Sequence, residues 1–379
     1  MKFLHLADLH IGKRYNEFSL IEDQKYILDE VLKIVGDEQP DGVIIAGDVY
    51  DKSVPSAEAV ELFDRFLNAL SERGAQVFVI SGNHDSAERI AFGAKLMSRS
   101  GVHFSPVYAG EIQPVTLHDN FGDVNIYLLP FIKPATVRRF FENEKIESYN
   151  DALKAAVDAM KIDTGARNVL VAHQFVTGAS HSGSEEFVVG DLGNVDAEIF
   201  APFDYTALGH VHGAQNVGSE RVRYSGTPLK YSLSEAGSQK SVTVVELKAK
   251  GDIAVSTVAL KPLRDVVEIK GKYEELTKMS FYEGTTYTKD LVHVVLTDEE
   301  DVPDALAKLR LIYPYIMNVR YDNTRTQNSS QAGELEAVPA RSPMELFSAL
   351  FEAQNNKPMS PEQSELVQSL IEKIWGDER

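Results

Sequence analysis

Five short motifs hold the residues of this chain best suited to metal chemistry. They are Asp8-Leu9-His10, Gly47-Asp48-Val49-Tyr50-Asp51, Gly82-Asn83-His84-Asp85, Ala172-His173-Gln174 and Gly209-His210-Val211-His212. Together Asp8, His10, Asp48, Asn83, His173, His210 and His212 offer carboxylate, imidazole and amide donors. The chain has no cysteine, so thiolate sites are excluded. This donor set suits manganese, iron or zinc better than calcium. Two divalent cations sharing one carboxylate, with Asp48 as the candidate bridge, would lie about 3.5–4 Å apart and clamp a phosphate. A nearby acid would then protonate the leaving oxygen. His84 suits that role, and Asp85 beside it could orient or charge the imidazole.

Taken singly, each motif is ordinary. Gly-Asp is usually a turn, His-x-His can face one side of a strand, and a lone histidine is more often a satisfied core residue. What gives the set weight is position: each motif follows an apolar run. The strand expectations are Lys2–Ala7, Gly42–Ala46, Gln76–Ser81, Val124–Leu129, Asn168–Ala172 and Tyr205–Leu208. Helices are expected over Leu20–Gly36, Ala57–Arg73, Ala87–Ser100 and Asn150–Met160. In the second of these, Val60, Phe63, Leu67 and Leu70 recur near the 3.6-residue period, with Ser56 as N-cap. Alternating strands and helices imply a layered α/β domain whose ligands gather at the carboxyl ends of strands. Further strand-like runs at Arg221–Ser225, Ser241–Leu247 and Ile253–Leu260 point to a sheet sandwich flanked by helices. His5, His103, His118, His181 and His293 have no partner motif and read as structural or exposed.

The rest of the chain divides by composition. Residues 1–262 form the first domain. Residues 263–323 read as a small α+β module, with strands at Val266–Ile269, Val292–Leu296 and Met317–Tyr321 and a helix at Asp304–Ile312. Residues 324–341 are polar and aperiodic, a linker. Residues 342–379 hold two capped amphipathic helices opened by Ser342-Pro343 and Ser360-Pro361. Met344, Phe347 and Phe351 form one apolar face; Leu366, Leu370 and Ile374 form another. Such a pair on a tether cannot build a core by itself and is expected to dock on a partner.

Composition excludes several classes. The 379 residues are 43% hydrophobic and 25% charged, which rules out a mostly disordered chain. No apolar run is long enough for a membrane span. The first residues enter a strand-like stretch without a signal-peptide pattern, so a cytoplasmic location is expected. The net charge of -19 leaves no large positive segment. Handling a polyanion would therefore need bound metal or a partner to supply attraction.

The motif set resembles that of the calcineurin-like metallophosphoesterase superfamily. The words at 5–12 (His-Leu-Ala-Asp-Leu-His-Ile-Gly), 82–86, 203–212 and 224–232 (Tyr-Ser-Gly-Thr-Pro-Leu-Lys-Tyr-Ser) are similar to those of the bacterial SbcD nucleases. The resemblance implies one metal on Asp8, His10, Asp48 and His212, and a second on Asp48, Asn83, His173 and His210. It implies manganese as the metal and His84 as the catalytic histidine. Archaeal relatives often carry histidine where this chain has Asp51, whose role here is open. It further implies a capping module over 263–323, a homodimer through the helices near 57–73 and 87–100, and tail helices that grip an SMC-like ATPase, SbcC. The apolar residues of the two dimer helices would equally suit the chain's own core.

The expected activity is metal-dependent DNA cleavage: exonuclease on double strands, endonuclease on single strands and hairpins. Its setting would be DNA end processing and repair at the bacterial nucleoid. The rival readings are a small-molecule phosphoesterase and a scaffold that has lost catalysis. Protein phosphatases of the superfamily commonly follow the second aspartate motif with Arg-Gly; this chain has Lys52-Ser53 after Asp51.

Overall fold

Near-continuous apolar runs in the first 265 residues bury both faces of the central strands of two sheets. A computed structural model describes residues 1–180, 194–326 and 343–375, the last four of these and Pro343 by backbone alone. The chain divides into two units, Met1–Asp265 and Val266–Arg379.

In the first unit, one six-stranded sheet runs in the order Ile253–Ala259, Ser241–Leu247, Lys2–Leu6, Gly42–Ala46, Gln76–Ile80, Val102–Phe104. Its last four strands are mutually parallel. The other six-stranded sheet runs Gln215–Val217, Ser219–Tyr224, Tyr205–Gly209, Arg167–His173, Gly122–Leu128, Val115–Asp119. Phe3, Ile44, Phe78 and Val245 from the first sheet meet Val124, Ile126, Val169 and Ala207 from the second in one buried layer. Period-2 alternation sends the intervening residues outward. Leu170 and Leu208 thus join the buried face of the helix Tyr149–Ala159. The helix Ala57–Glu72 packs beside the first sheet and against the helix Ile21–Glu38. The outer face of each sheet is therefore covered by helices, the arrangement expected of largely parallel sheets.

The parallel strands matter for function because their carboxyl ends point one way. Lys2–Leu6, Gly42–Ala46, Gln76–Ile80, Arg167–His173 and Tyr205–Gly209 each run into one of the five motifs. Ser56 caps its helix, accepting from the Ala59 amide at 3.2 Å. The single helix expected over 87–100 does not form. Short turns at Ala87–Ile90 and Ala94–Met97 are separated at Gly93, whose φ of +75° breaks the helix. The edge strands Val102–Phe104, Val115–Asp119 and Gln215–Val217 were also absent from the expectation. They are short or only partly buried, so their hydrophobic pattern is weak.

The second unit has a parallel three-stranded sheet, Val266–Gly271, Leu291–Leu296 and Ile316–Tyr321, with the helix Ala305–Arg310. Its tail helices span Pro343–Asn355 and Pro361–Trp375. Ser360 and Gln363 close a reciprocal capping box at 3.2 and 2.9 Å. Most of the expected linker, 327–341, lies outside the described residues, as do Ser342 and the side chain of Ile374. Among the described residues no helix is long and apolar enough to cross a membrane.

One ion pair fastens the start of the strand that ends on His173. Arg167, buried, donates to both carboxylate oxygens of Asp119 and to the carbonyls of Gly122 and Lys248. These hydrogen bonds hold the Asp119 carboxyl well below the usual carboxylate range. Its stabilisation is thus complete above the unfolded value of about 4 and fades as pH falls through the lower folded value. Asp119→Asn is expected to cost about 1–3 kcal/mol in urea unfolding at neutral pH. The gap from the unaltered protein should narrow below about pH 4. A gap that stays constant into strong acid would show that this pair does not set the difference.

Candidate dimetal centre

Each ligand residue sits where a buried strand turns sharply into a loop. Asp8, His10, Asp48 and His210 have φ of 54°, 43°, 47° and 98°, a region that residues with a Cβ seldom occupy. Four such backbones in one cluster are held by cross-links between the loops. The Asp8 amide donates to Gly47 O at 3.0 Å, the His10 amide to Asp48 O at 2.9 Å, and the His210 amide to Asp8 Oδ1 at 2.9 Å. Strain concentrated in this way is typical of functional sites. The glycines of the motifs serve close approach. A Cβ on Gly82 would overlap Asp48, and one on Gly209 would overlap the Ala46 carbonyl. Neither position can carry a side chain without moving a ligand loop.

The donor atoms form overlapping groups, Asp8 with His10 and His212, His10 with Asp48 and His84, and Asp8 with Asp48 and His173. Oδ1 of Asp48 accepts from the His84 amide at 2.9 Å, which leaves Oδ2 facing the site. That Oδ2 is 3.7 Å from His10 Nε2 and 3.3 Å from His173 Nε2. On one side, His10 Nε2 and His212 Nε2 lie 3.2 Å apart, and Asp8, His10 and His212 converge within ligand distance. On the other, Asn83 Oδ1 is 3.1 Å from His173 Nε2 and 2.9 Å from His210 Nδ1. His173 Nδ1 must donate to the Ala46 carbonyl, 2.8 Å away, so its Nε2 is the ring's inward donor. Oxygen and nitrogen donors packed this closely, without sulfur, fit a pair of divalent cations.

Electrostatics agree. Burial pushes His10 well below its ordinary value and raises Asp8 to about 7. Burial also works to lower His173, but Asp48 and Asp8 outweigh it and raise the ring to about 9. Asp48 goes the opposite way. Burial opposes its charge, yet His173 and His10 carry the carboxyl well below the usual range. The pocket therefore favours positive charge beside Asp48, which two dications would supply.

The other expected residues are placed as follows. His84 is half-buried with its ring edge-on to His10 at 4.8 Å between centroids. Its Nδ1 is 3.0 Å from the Asp51 carbonyl, which can only accept. Asp85 does not make this contact. Its carboxylate instead accepts from the amides of Gly82, Val49 and Tyr50 at 2.9–3.0 Å. The expected orienting of the ring by Asp85 thus gives way to bracing of the Asp48 loop. Burial and the Asp48 charge raise Asp85 to about 6. His5 is buried against Tyr205 and Leu208, His103 stacks on Phe78, and His118 is exposed. His293 lies in the second unit's sheet, and His181 lies outside the described residues.

Several supporting residues went unnoticed in the motifs. Gln24, buried on an otherwise amphipathic helix, donates to the His10 carbonyl at 2.7 Å and accepts from the Gly12 amide at 2.9 Å. Tyr231 donates to the Leu9 carbonyl at 2.5 Å. Thr227 binds the His212 carbonyl through its amide at 3.1 Å. The signal for the last two was the word Tyr-Ser-Gly-Thr-Pro-Leu-Lys-Tyr-Ser itself.

The family model for calcineurin-like phosphoesterases matches residues 1–214, more than half of the chain. The chain is 32% identical over 385 aligned residues, covering all of both chains, to the SbcD component of the SbcCD nuclease of Staphylococcus epidermidis. The chain belongs to the SbcD family of calcineurin-like phosphoesterases. The protein of the same name from Staphylococcus saprophyticus is 35% identical over 318 residues, 83% of each chain. Residues 262–355 match a second family model, described as the type 5 capsule protein repressor C-terminal domain. A dimetal phosphatase from Danio rerio aligns with 69% of this chain and 98% of its own at 10% identity, with a TM-score of 0.40. All seven expected ligand residues lie in the part of the chain that the phosphoesterase family model covers.

Proposed function

We propose that this chain is a two-metal phosphodiesterase that cleaves DNA, the nuclease subunit of a complex with an SbcC-type ATPase. The observation that carries the reading is the Asp48 oxygen set between His10 and His173, in a chain similar over its whole length to a nuclease component. Asp8, His10, Asp48 and His212 would hold one cation, and Asp48, Asn83, His173 and His210 the other, with manganese as the metal. Bound there, two dications supply Lewis-acid polarisation of a phosphodiester and lower the pKa of water. The chain's own contribution is orientation and a proton. The Asp51 carbonyl holds His84 by Nδ1, leaving Nε2 as the ring's second nitrogen. Doubly protonated, the ring keeps that hydrogen bond and gives the Nε2 proton to the leaving oxygen. Asp85 acts as a positioning residue through the Asp48 loop.

The substrates fitting this reading are double-stranded ends for exonuclease action and single strands or hairpins for endonuclease action, in the bacterial cytoplasm at the nucleoid. The residue blocks 1–262, 263–323, 324–341 and 342–379 then serve as nuclease, cap, linker and docking element. The tail supports docking on the ATPase. Leu346, Phe347, Leu350, Leu366 and Leu370 are all exposed, while Met344 and Phe351 are half-buried. Leu346 and Leu350 widen the apolar surface beyond the expected face. A homodimer has narrower support. The helix Ala57–Glu72 buries Leu62, Phe63, Phe66 and Leu70 in its own fold, so its apolar face is already covered. Phe92 and Leu96, 82% and 71% exposed, are the better contacts.

With manganese, the protein should cut hairpin DNA in preference to a small phosphoester. His84→Gln should lower the cleavage rate about 10²–10⁴-fold with manganese binding retained. Cleavage of the small ester alone would sink the nuclease reading. Light scattering on the full chain and on a chain ending at 341 tests the assembly. Two copies without partner, and loss of ATPase binding on truncation, are expected. A single copy at every concentration, or unchanged partner binding, would contradict the respective contact.

A further inference from the structure

His10 and His212 face each other through Nε2, 3.2 Å apart, and both rings turn Nδ1 away from the site. Behind each Nδ1 stands a carboxylate, and behind each carboxylate a lysine. His10 Nδ1, buried and without a hydrogen-bond partner among the described residues, is 3.8 Å from Asp51 Oδ1, which Lys13 holds at 2.8 Å. His212 Nδ1 is 3.7 Å from Glu235 Oε1, and Lys240 holds Glu235 Oε2 at 2.5 Å. The repetition comes from unrelated parts of the chain, so it is not a by-product of one loop. Tyr231 lies edge-on to both rings, 5.6 and 6.2 Å between centroids, and separates the two pairs.

We infer that Asp51–Lys13 and Glu235–Lys240 are paired positioning devices that keep the Nδ1 proton on His10 and His212 and so present Nε2 to one of the two cations. The inference rests on the two-cation reading of the site. Separations of 3.7 and 3.8 Å are too long for hydrogen bonds. The carboxylates act instead through charge, attracting the N–H end of each ring in a poorly solvated pocket. The lysines hold both carboxylates in place. Lys240 also donates to the His212 carbonyl at 2.9 Å, tying that pair to the ligand's backbone as well as its ring. Glu235 and Lys240 have side chains only 2% and 7% exposed. A buried pair of this kind is seldom more stable than apolar residues of the same size, so stability alone gives little reason for it. Carboxylates behind metal-bound histidines fix ring orientation and raise ligand basicity. Here Asp51 fills a role left open by its sequence, and Glu235 and Lys240 come from outside every ligand motif.

The test is manganese titration by calorimetry on the full-length protein, with melting temperature measured in chelator. The unaltered protein should bind two ions. Asp51→Asn should weaken one site about 10–100-fold and leave the other unchanged, with the chelator melting temperature preserved. Because Glu235→Gln alone would strand a buried lysine, the second variant is Glu235→Gln with Lys240→Met. It should weaken the same single site. Nitrogen-15 NMR of the histidines in chelator should show His10 leaving the Nδ1–H form in Asp51→Asn. Unchanged affinity at both sites, equal loss at both, or unaltered tautomers would overturn the inference. Failure of the unaltered protein to bind two ions would instead overturn the two-cation reading beneath it.

Discussion

The structure turns on how one carboxylate divides its two oxygens. Asp48 gives Oδ1 to the His84 amide and leaves Oδ2 between His10 and His173. A buried carboxylate is tolerable only where hydrogen bonds or positive charge compensate it. Much of the surrounding architecture supplies that compensation or holds it still. The left-handed backbone at Asp48 aims the side chain inward. The glycine at 82 lets the next loop close over it, and Asp85 ties that loop to Val49 and Tyr50. The parallel strands matter because they deliver five such loops to one edge of the sandwich.

Much of this was legible in the sequence for a simple reason. A motif that follows a buried strand has its position fixed by the sheet, so Asp8, Asp48, His173 and His210 could be placed at strand ends from the apolar runs before them. The sandwich followed from the further strand-like runs at 221–225, 241–247 and 253–260. Legibility failed where a role depends on contacts between distant segments. Asp85 adjoins His84 in sequence, yet its oxygens are taken by amides. Asp51 binds that ring through its carbonyl, an atom every residue has and no motif can mark. Gln24, Glu235 and Lys240 come near the site only through folding. The helix expected over 87–100 failed because a glycine at positive φ interrupts it at 93.

The acidity of the chain, net -19, takes on a local meaning. It opposes intrinsic affinity for a polyanion, since phosphate contacts ordinarily come from lysine and arginine. The dimetal centre is the exception, a pocket whose buried carboxylates call for cations that would in turn attract phosphate. A chain of this kind suits a catalytic component that receives DNA from a partner. In the proposed complex, the exposed apolar residues of the tail helices would offer the partner a surface that no charge complementarity need supply.

The central claim is that Asp48 Oδ2 serves two cations at once. Anomalous diffraction from crystals of the protein grown with manganese tests it most directly. Two peaks about 3.5–4 Å apart, both within ligand distance of that oxygen, are the expected result. A single peak, or two peaks of which only one touches Asp48, would contradict the account.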